Sequence, residues 1–220
     1  MNNPKISVII PVFNEEKFLS RCLRSLLSQN LDESSYEIIV INDASEDNTI
    51  NILNKYLDNI KLITNDTNIG LAASLNKGIN ASKGKFIVRV DGDDYVHEQY
   101  LNILCLFLEL NNDIDAVACD YYLIDDKQNT MEKLNCIENP IGCGIMFRYE
   151  QLIDIGLFDP NFLAREEEEL DIRFSKKYSK TRIPIPLYRY HIHDNNLTSN
   201  LEVMSHFQKK LNKKHSKNGY

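Results

Sequence analysis

Short apolar runs alternate with amphipathic segments along the first 97 residues of the chain. The runs are rich in β-branched residues, as buried strands are, and lie at residues 6–12, 36–41, 60–64 and 86–90. The segments between them carry apolar residues at helical spacing and lie at residues 15–29, 46–57 and 71–81. Ser45 is placed to cap the second of these helices. The alternation predicts an α/β fold with a mostly parallel sheet and crossover helices.

The second half of the chain has a less regular pattern. It predicts helices at 98–110, 149–155 and 166–178, and strands at 116–124 and 145–148. Residues 127–139 are polar and are expected on the surface, while residues 182–191 contain two prolines and predict an edge strand at best. Since no repeat, low-complexity block or clear linker interrupts the sequence, we expect one domain over residues 1–200, with halves at 1–97 and 98–200.

Residues 201–220 differ in character from the rest. They combine an apolar stripe with a lysine-rich remainder, and the stripe consists of Leu201, Val203, Met204, Phe207 and Leu211. Such a basic amphipathic helix either lies on an anionic membrane surface or docks against its own domain with a solvated tail. The sequence leaves both alternatives open.

Composition and charge exclude several classes of protein. The chain has 220 residues, of which 43% are hydrophobic, so it can build a substantial core. Its net charge of -7 argues against a general nucleic-acid binder. The five cysteines are odd in number and form no C-x-x-C pair, so reduced thiols are expected and a zinc site is not. Without a bilayer-length apolar run or a signal peptide, the sequence predicts a cytoplasmic location.

Three polar clusters follow the predicted strands of the first half. They are Phe13-Asn14-Glu15, Asn42-Asp43 and the aspartates of VRVDGDDYV, at positions 91, 93 and 94. Because ligands in parallel sheets bind beyond the carboxyl ends of the strands, we expect these clusters to converge. Strand alternation sends Asp91 and Asp93 to the same side, where Mg²⁺ and a substrate phosphate could join them. An Asp/Gly-rich turn is the alternative interpretation of the same residues.

Three longer segments carry a resemblance to a known family. SVIIPVFNEEKFLSRCLRSLLSQ, EIIVINDASEDNT and NIGLAASLNKGINASKGKFIVRVDGDD resemble, in this order, the opening strand, the nucleotide loop and the D-x-D region of the family 2 glycosyltransferases. The resemblance covers residues 6 to about 199. It implies a GT-A type, Rossmann-like sheet flanked by helices, with an acceptor-binding second half. It also implies an inverting reaction on a nucleotide-sugar donor.

The same resemblance implies roles for individual residues. The positions implied to bind the nucleotide sugar are Pro11, Val12, Phe13, Glu15, Asp43, Asn68, Asp91 and Gly92. Asp43 would hydrogen-bond the base, commonly uracil, although Asn42 stands where the family usually has a first aspartate. Asp93 would hold Mg²⁺ or Mn²⁺ beside the diphosphate, and His193, in RYHIHDNNLTS, would face the metal or the phosphates.

A further segment, AREEEELDIRF, resembles the family's E-D-x-[DE]-L-x-x-R pattern. This places Glu166 and Glu167 on the acid pair and makes Glu167 the general base, a position that is normally aspartate. Glu166 or Glu168 could serve instead, and a helix N-terminus rich in acids explains the run without catalysis. Residues 142–144, Gly-Cys-Gly, fall where the family shapes the acceptor side, although a simple turn explains them too.

The expected function is therefore transfer of one sugar from a nucleoside diphosphate donor, most simply UDP, to a saccharide or lipid-linked saccharide of the cell surface. The missing Q-x-x-R-W motif favours single addition over polymerisation. Two alternatives stay open. A sugar-nucleotide nucleotidyltransferase would need a glycine-rich basic loop where FNEEKF is acidic. A non-catalytic nucleotide-binding or partner-docking module would keep the site without the reaction.

Overall fold

The computed structural model describes residues 3–193 and 201–216 of the chain. Its strands are β1 (Ile6–Val12), β2 (Tyr36–Asn42), β3 (Lys61–Thr64), β4 (Phe86–Arg89), β5 (Tyr95–Val96), β6 (Ala116–Ile124), β7 (Thr130–Leu134), β8 (Ile145–Arg148) and β9 (Lys180–His191). Its α-helices are α1 (Leu19–Leu27), α2 (Thr49–Leu53), α3 (Leu71–Asn80), α4 (Tyr100–Leu110), α5 (Tyr149–Asp154), α6 (Glu166–Phe174) and α7 (Leu201–Ser216).

All nine strands belong to one sheet, in the order β3-β2-β1-β4-β8-β6-β9-β5, with β7 paired to β6. Strands β3, β2, β1 and β4 are parallel to one another, and β9 is parallel to β6. Each antiparallel pair involves a strand from the second half of the chain. The predicted α/β fold, with its helix-flanked and largely parallel sheet, is confirmed.

Both faces of the parallel strands are buried, as crossover helices require. Alternate residues of β1 enter different apolar clusters, with Val8 and Ile10 on one face and Ile9 on the other. Helix α1 covers the first face and α3 covers the second. Helix α3 packs closely because Gly78 has no side chain. A Cβ atom there would lie 2.6 Å from methyl groups of both Ile9 and Ile41.

Several elements of the first half differ in extent from their prediction. Helix α1 begins at Leu19, four residues later than expected, and α2 covers only Thr49–Leu53 before a 3₁₀ turn at Asn54–Tyr56. The prediction that Ser45 caps α2 is wrong, since its hydroxyl accepts a hydrogen bond from the backbone N–H of Asn14 at 3.0 Å. The loops after β1 and β2 bind each other there instead of starting helices.

The prediction of an edge strand at 182–191 is wrong. Strand β9 has twelve residues and lies between β6 and β5 in the sheet. Its prolines are tolerated because the β6–β9 register shifts around Asp120, which pairs with Pro186 while Cys119 pairs with Ile183. Most of the polar segment 127–139 is exposed, as expected, although Cys136 is buried, and the segment contains the short outer strand β7.

Helix α7 docks on its own domain. Phe207 and Leu211 are buried in a small cluster with Phe162 and Ala164, so these side chains are covered by the chain itself. Lys214 forms an ion pair with Asp159 at 2.8 Å. Of the two interpretations of the C-terminal segment, docking is the one that the structure shows for residues 201–216.

Two further observations concern the chain as a whole. All five cysteines are free and buried, in agreement with the expectation of reduced thiols. Within residues 3–193 and 201–216, no helix combines the length and the apolarity needed to cross a membrane.

Candidate functional site

The structure brings every residue of the predicted site to one cavity of about 530 Å³, beyond the carboxyl ends of β1, β2 and β4. These residues are Pro11, Val12, Phe13, Glu15, Asp43, Asn68, Asp91, Gly92, Asp93, Glu166, Glu167 and His193. The cavity is also lined by residues that the sequence did not single out, among them Arg89, Leu163, Arg165 and Met204.

Hydrogen bonds between loops fix the end of the cavity next to β1 and β2. Asn14 has a left-handed backbone, with φ of 59°, and its side-chain oxygen accepts from the N–H of Glu46 at 2.8 Å. The N–H of Glu15 donates to the hydroxyl of Thr49 at 2.8 Å. The side-chain oxygen of Asn42 accepts from the N–H of Ser45 at 3.1 Å, so this residue orders the loop.

Asp43 is buried at the same end and has a structural task of its own. Its two carboxylate oxygens accept hydrogen bonds from the backbone N–H groups of Ile69 and Gly70, both at 2.9 Å. The side-chain amide of Asn65 donates a third bond at 2.8 Å. Asp43 therefore holds the turn that carries Asn68 to the cavity wall. The exposed ring of Phe13 lies at the same cavity.

The three aspartates after β4 each have a different polar partner. These separate contacts reduce the cost of placing three like charges close together. Asp91 accepts two bonds from the Arg89 guanidinium, at 2.6 and 3.0 Å. Asp94 points into the protein, where it accepts from the Tyr188 hydroxyl at 2.7 Å and from the N–H of His191 at 2.7 Å. The carboxylate of Asp93 lies 2.9 Å from Nε2 of His193.

The side chains of Asp93 and His193 are better placed to bind a divalent cation than the neighbouring cluster of Asp91, Asp94 and Cys143. Among the described residues, Asp91, Asp94 and Cys143 form a group of three potential ligands within 4.8 Å of one another. Asp94 and Cys143 are buried, and a thiol is a poor ligand for Mg²⁺. Asp93 and His193 both line the cavity, where phosphate oxygens could complete the coordination that Mg²⁺ or Mn²⁺ prefers.

The crowding of acids shows in the pKa of Glu15. Burial, and next to it the negative charges of Asp93 and Asp91, raise the pKa of Glu15 to about 8. Burial also raises the pKa of Asp91, although the adjacent Arg89 opposes the shift. Nearby positive charge would therefore stabilise the ionised acids.

Helix α6 presents its first glutamates to the other end of the cavity. Glu166 is buried, and Arg89 Nη1 donates to its carboxylate at 3.0 Å. Burial, followed by the charge of Glu167, raises the pKa of Glu166 to about 7. Glu168 is engaged in an ion pair with Arg165. The carboxylate of Glu167 has no hydrogen bond or ion pair with any residue that the structure describes.

Gly142 lets the backbone of the opposite wall approach these groups closely. A Cβ atom there would lie 2.8 Å from Arg89 Nη1 and 3.0 Å from Cβ of Glu167. Any larger residue would have to displace one of them. The glycine was read from the sequence as part of the acceptor side, and the structure places it beside Glu167.

Arg89 is a central residue of the cavity that sequence reasoning missed. It joins Asp91 to Glu166, which are 75 positions apart in the sequence. The available signal was a charged side chain inside the apolar run FIVRV, where strand burial would otherwise disfavour it.

Comparison with known proteins finds a matching family, several relatives and solved structures of similar fold. The family model described as glycosyl transferase family 2 matches residues 7–170. The chain is 34% identical over 135 residues to the putative glycosyltransferase EpsH of Bacillus subtilis, covering 60% of this chain and 38% of that protein. It is 41% identical over 101 residues to a poly(ribitol-phosphate) beta-glucosyltransferase of Bacillus spizizenii, covering 44% of this chain and 16% of the relative. This chain thus spans less than half the length of either relative.

Two solved structures share the fold. The S. aureus TarS fragment 1-349, in complex with UDP-GlcNAc, superposes with a TM-score of 0.77 at 21% identity, covering 91% of this chain and 64% of that one. The mannosyltransferase PcManGT from Pyrobaculum calidifontis, in complex with GDP-Man and Mn²⁺, has a TM-score of 0.78 at 17% identity. The superposition covers all of this chain and 66% of the mannosyltransferase chain.

Proposed function

This chain belongs to glycosyl transferase family 2, and we propose that it is an inverting enzyme that transfers one sugar from a UDP-sugar to an acceptor hydroxyl. The observation that carries the proposal is the shared cavity. Phe13, Asp43 and Glu167 all line it, as do Asp93 and His193, whose side chains lie 2.9 Å apart. These are the parts that a single displacement on an activated sugar requires.

The donor's diphosphate belongs beside Asp93 and His193. These two side chains would hold Mg²⁺ or Mn²⁺, which when bound supplies positive charge against the departing diphosphate. Pro11, Val12 and Gly92 also line the cavity, and a Cβ atom on Gly92 would lie 3.0 Å from Cγ1 of Val12. Metal dependence is supported by the Mn²⁺ named with the mannosyltransferase neighbour.

Glu167 is the proposed general base. As the acceptor oxygen forms its bond to the anomeric carbon, its proton moves to the Glu167 carboxylate, and the bond from that carbon to the diphosphate breaks. Glu167 lines the cavity and has no hydrogen bond or ion pair within residues 3–193 and 201–216, whereas Glu166 is held by Arg89 and Glu168 by Arg165. Glu166 would then position Arg89 and the adjacent wall.

The acceptor is proposed to be a saccharide or lipid-linked saccharide used in cell-surface polysaccharide synthesis. This is supported by the name of the relative that acts on poly(ribitol-phosphate). The division of residues 1–200 into a donor half and an acceptor half, and a cytoplasmic location, stay predictions. So does peripheral membrane contact, for which exposed Lys209 and Lys213 are available on α7.

Release of UDP from UDP-GlcNAc and UDP-glucose tests the proposal, with water or an added saccharide as acceptor. With Mn²⁺ present, Glu167→Gln should lower the rate by about 100-fold or more, since general-base catalysis contributes that much. Its affinity for UDP should be unchanged. Glu168→Gln is the matched control, because this neighbour is paired with Arg165, and it should keep most of the activity.

Two outcomes would contradict the proposal in different ways. Full activity of Glu167→Gln would move the base to another carboxylate. Binding of UDP without release from any donor, by the unmodified protein and with any acceptor, would identify a nucleotide-binding module instead of an enzyme.

A further inference from the structure

Helix α7 begins thirty residues after the family match ends, yet it reaches the cavity. The match covers residues 7–170, and α7 spans Leu201–Ser216. Met204, in its first turns, is partly buried against the Phe162 cluster and also lines the cavity. Met204 therefore contributes to the wall of the site from outside the matched region, as Tyr190 and His193 also do.

Both apolar and charged contacts fix α7 in this position. Phe207 and Leu211 are buried with Phe162 and Ala164. Lys214 lies 2.6 Å from the carboxylate of Glu169, which is fully buried in α6. A salt bridge to a buried carboxylate is screened less by solvent than one on the surface. The helix is thus held against α6 as well as against the loop before it.

The backbone of α7 also contacts Arg165, the residue that directly precedes α6. Nε of Arg165 donates to the carbonyl oxygen of Met204 at 3.1 Å. Arg165 has a left-handed backbone, with φ of 59°, and directly precedes Glu166. At the other end of the same wall, Leu163 lies 3.4 Å from the position that a Cβ on Gly70 would take.

The wall that contains Leu163, Arg165 and Met204 therefore runs from the nucleotide end of the cavity to the glutamates. Gly142 lies close to Glu167 and Arg89, and we assign its side of the cavity to the acceptor. In a donor that reaches from Asp43 to Glu167, the sugar would lie against the wall that contains Leu163, Arg165 and Met204. Methionine is unbranched and polarisable, so it packs against irregular surfaces such as a sugar ring with its substituents.

We propose that α7 completes the donor site and that Met204 is a specificity-determining residue for the transferred sugar. The proposal rests on the proposed donor function. It predicts that changes at Met204 alter the affinity for nucleotide sugars and leave the affinity for the free nucleotide unchanged.

Calorimetric titration of the full chain with UDP, UDP-glucose and UDP-GlcNAc, in the presence of Mn²⁺, tests this. Met204→Trp should bind both nucleotide sugars about 10-fold more weakly and UDP with unchanged affinity, because the larger side chain fills the space of the sugar. Met204→Ala should change the ratio of the two nucleotide-sugar affinities by about 3-fold or more, since the pocket gains room for the acetamido group.

Ser205→Ala is the control on the same helix, at an exposed position outside the cavity lining. Unchanged nucleotide-sugar binding by both Met204→Trp and Met204→Ala would overturn the inference. So would an equal loss of UDP and nucleotide-sugar binding, which would make Met204 a structural residue. Failure of the unmodified protein to bind any of the three would instead refute the proposed UDP-sugar donor.

Discussion

At the scale of single residues, Arg89 forms ion pairs with two acids, Asp91 and Glu166. It donates to Asp91 through two nitrogens and to Glu166 through a third contact, and its own side chain is only 12% exposed. A buried guanidinium with two carboxylates is well compensated, whereas each carboxylate alone would be costly to ionise. Even with Arg89 beside it, Glu166 has its pKa raised to about 7.

This shift predicts how stability depends on pH. The pKa of Glu166 is raised from 4.5 to about 7 in the folded protein, so its ionisation opposes folding. The contribution of the Glu166 carboxyl to the free energy of unfolding is fully present below pH 4.5 and is lost as the pH rises towards 7. At 1.36 kcal/mol for each pH unit between the two values, the loss is about 3 kcal/mol.

Glu166→Gln removes this loss because glutamine does not ionise. The free energy of unfolding of the variant, minus that of the unmodified protein, should therefore increase by about 3 kcal/mol between pH 4.5 and pH 8. Urea unfolding at both pH values, without divalent cations, measures the difference. Glu168→Gln is the control, since Glu168 is partly exposed and paired with Arg165. Parallel pH profiles for Glu166→Gln and the unmodified protein would contradict the assignment.

The sequence predicted which residues form the site better than it predicted the hydrogen bonds that those residues make. Parallel strands end at one edge of a sheet, so the clusters at residues 13–15, 42–43 and 91–94 could be expected to meet. That Asp43 binds the backbone of Gly70, or that Arg89 binds Glu166, depends on side-chain directions in loops far apart in sequence. No local pattern carries this information.

At the scale of elements, α3 shows how closely a crossover helix packs on its sheet. The helix approaches β1 and β2 at Gly78, where there is no room for a Cβ atom beside Ile9 and Ile41. The buried Ala72, Leu75 and Ile79 continue the same face. Glycine costs about 1 kcal/mol in a helix relative to alanine, and the close approach offsets that cost.

Gly78→Val should therefore destabilise the protein by about 2–3 kcal/mol, because overpacking a well-packed core forces side chains and backbone to shift. Asn80→Val is the matched control at the exposed end of the same helix and should change the free energy of unfolding by about 0.5 kcal/mol or less. Chemical denaturation of the two variants checks this. Equal stability of both would mean that α3 can move away from the sheet at no cost.

The elements themselves differ in how far the sequence could predict them. The limits of β1, β6 and β8 agree with the prediction, and the apolar run of β6 ends sharply at Asp125 and Asp126. Strand β9 was misjudged because two prolines usually exclude an inner strand, and the register shift that accommodates them depends on β6. The start of α2 was misjudged because a hydroxyl suited to capping, that of Ser45, binds another loop.

At the scale of the whole molecule, parts of the chain that are far apart in sequence form one cavity. The first half contributes the strand ends with Asp43 and Asp93, α6 contributes Glu167, and α7 contributes Met204. The chain carries a net charge of -7, so a donor diphosphate gains little from the overall field and depends on local positive charge. A cation held by Asp93 and His193 would provide that charge.

The most direct test of the account is a calorimetric titration with UDP, with and without Mn²⁺, on the unmodified protein and on Asp93→Ala. We expect UDP to bind the unmodified protein far more tightly with Mn²⁺ than without it, and we expect Asp93→Ala to lose this metal-dependent gain. Equal UDP affinity of Asp93→Ala and the unmodified protein in Mn²⁺ would contradict a cation site at Asp93 and His193. Absence of UDP binding under both conditions would contradict the uridine donor itself.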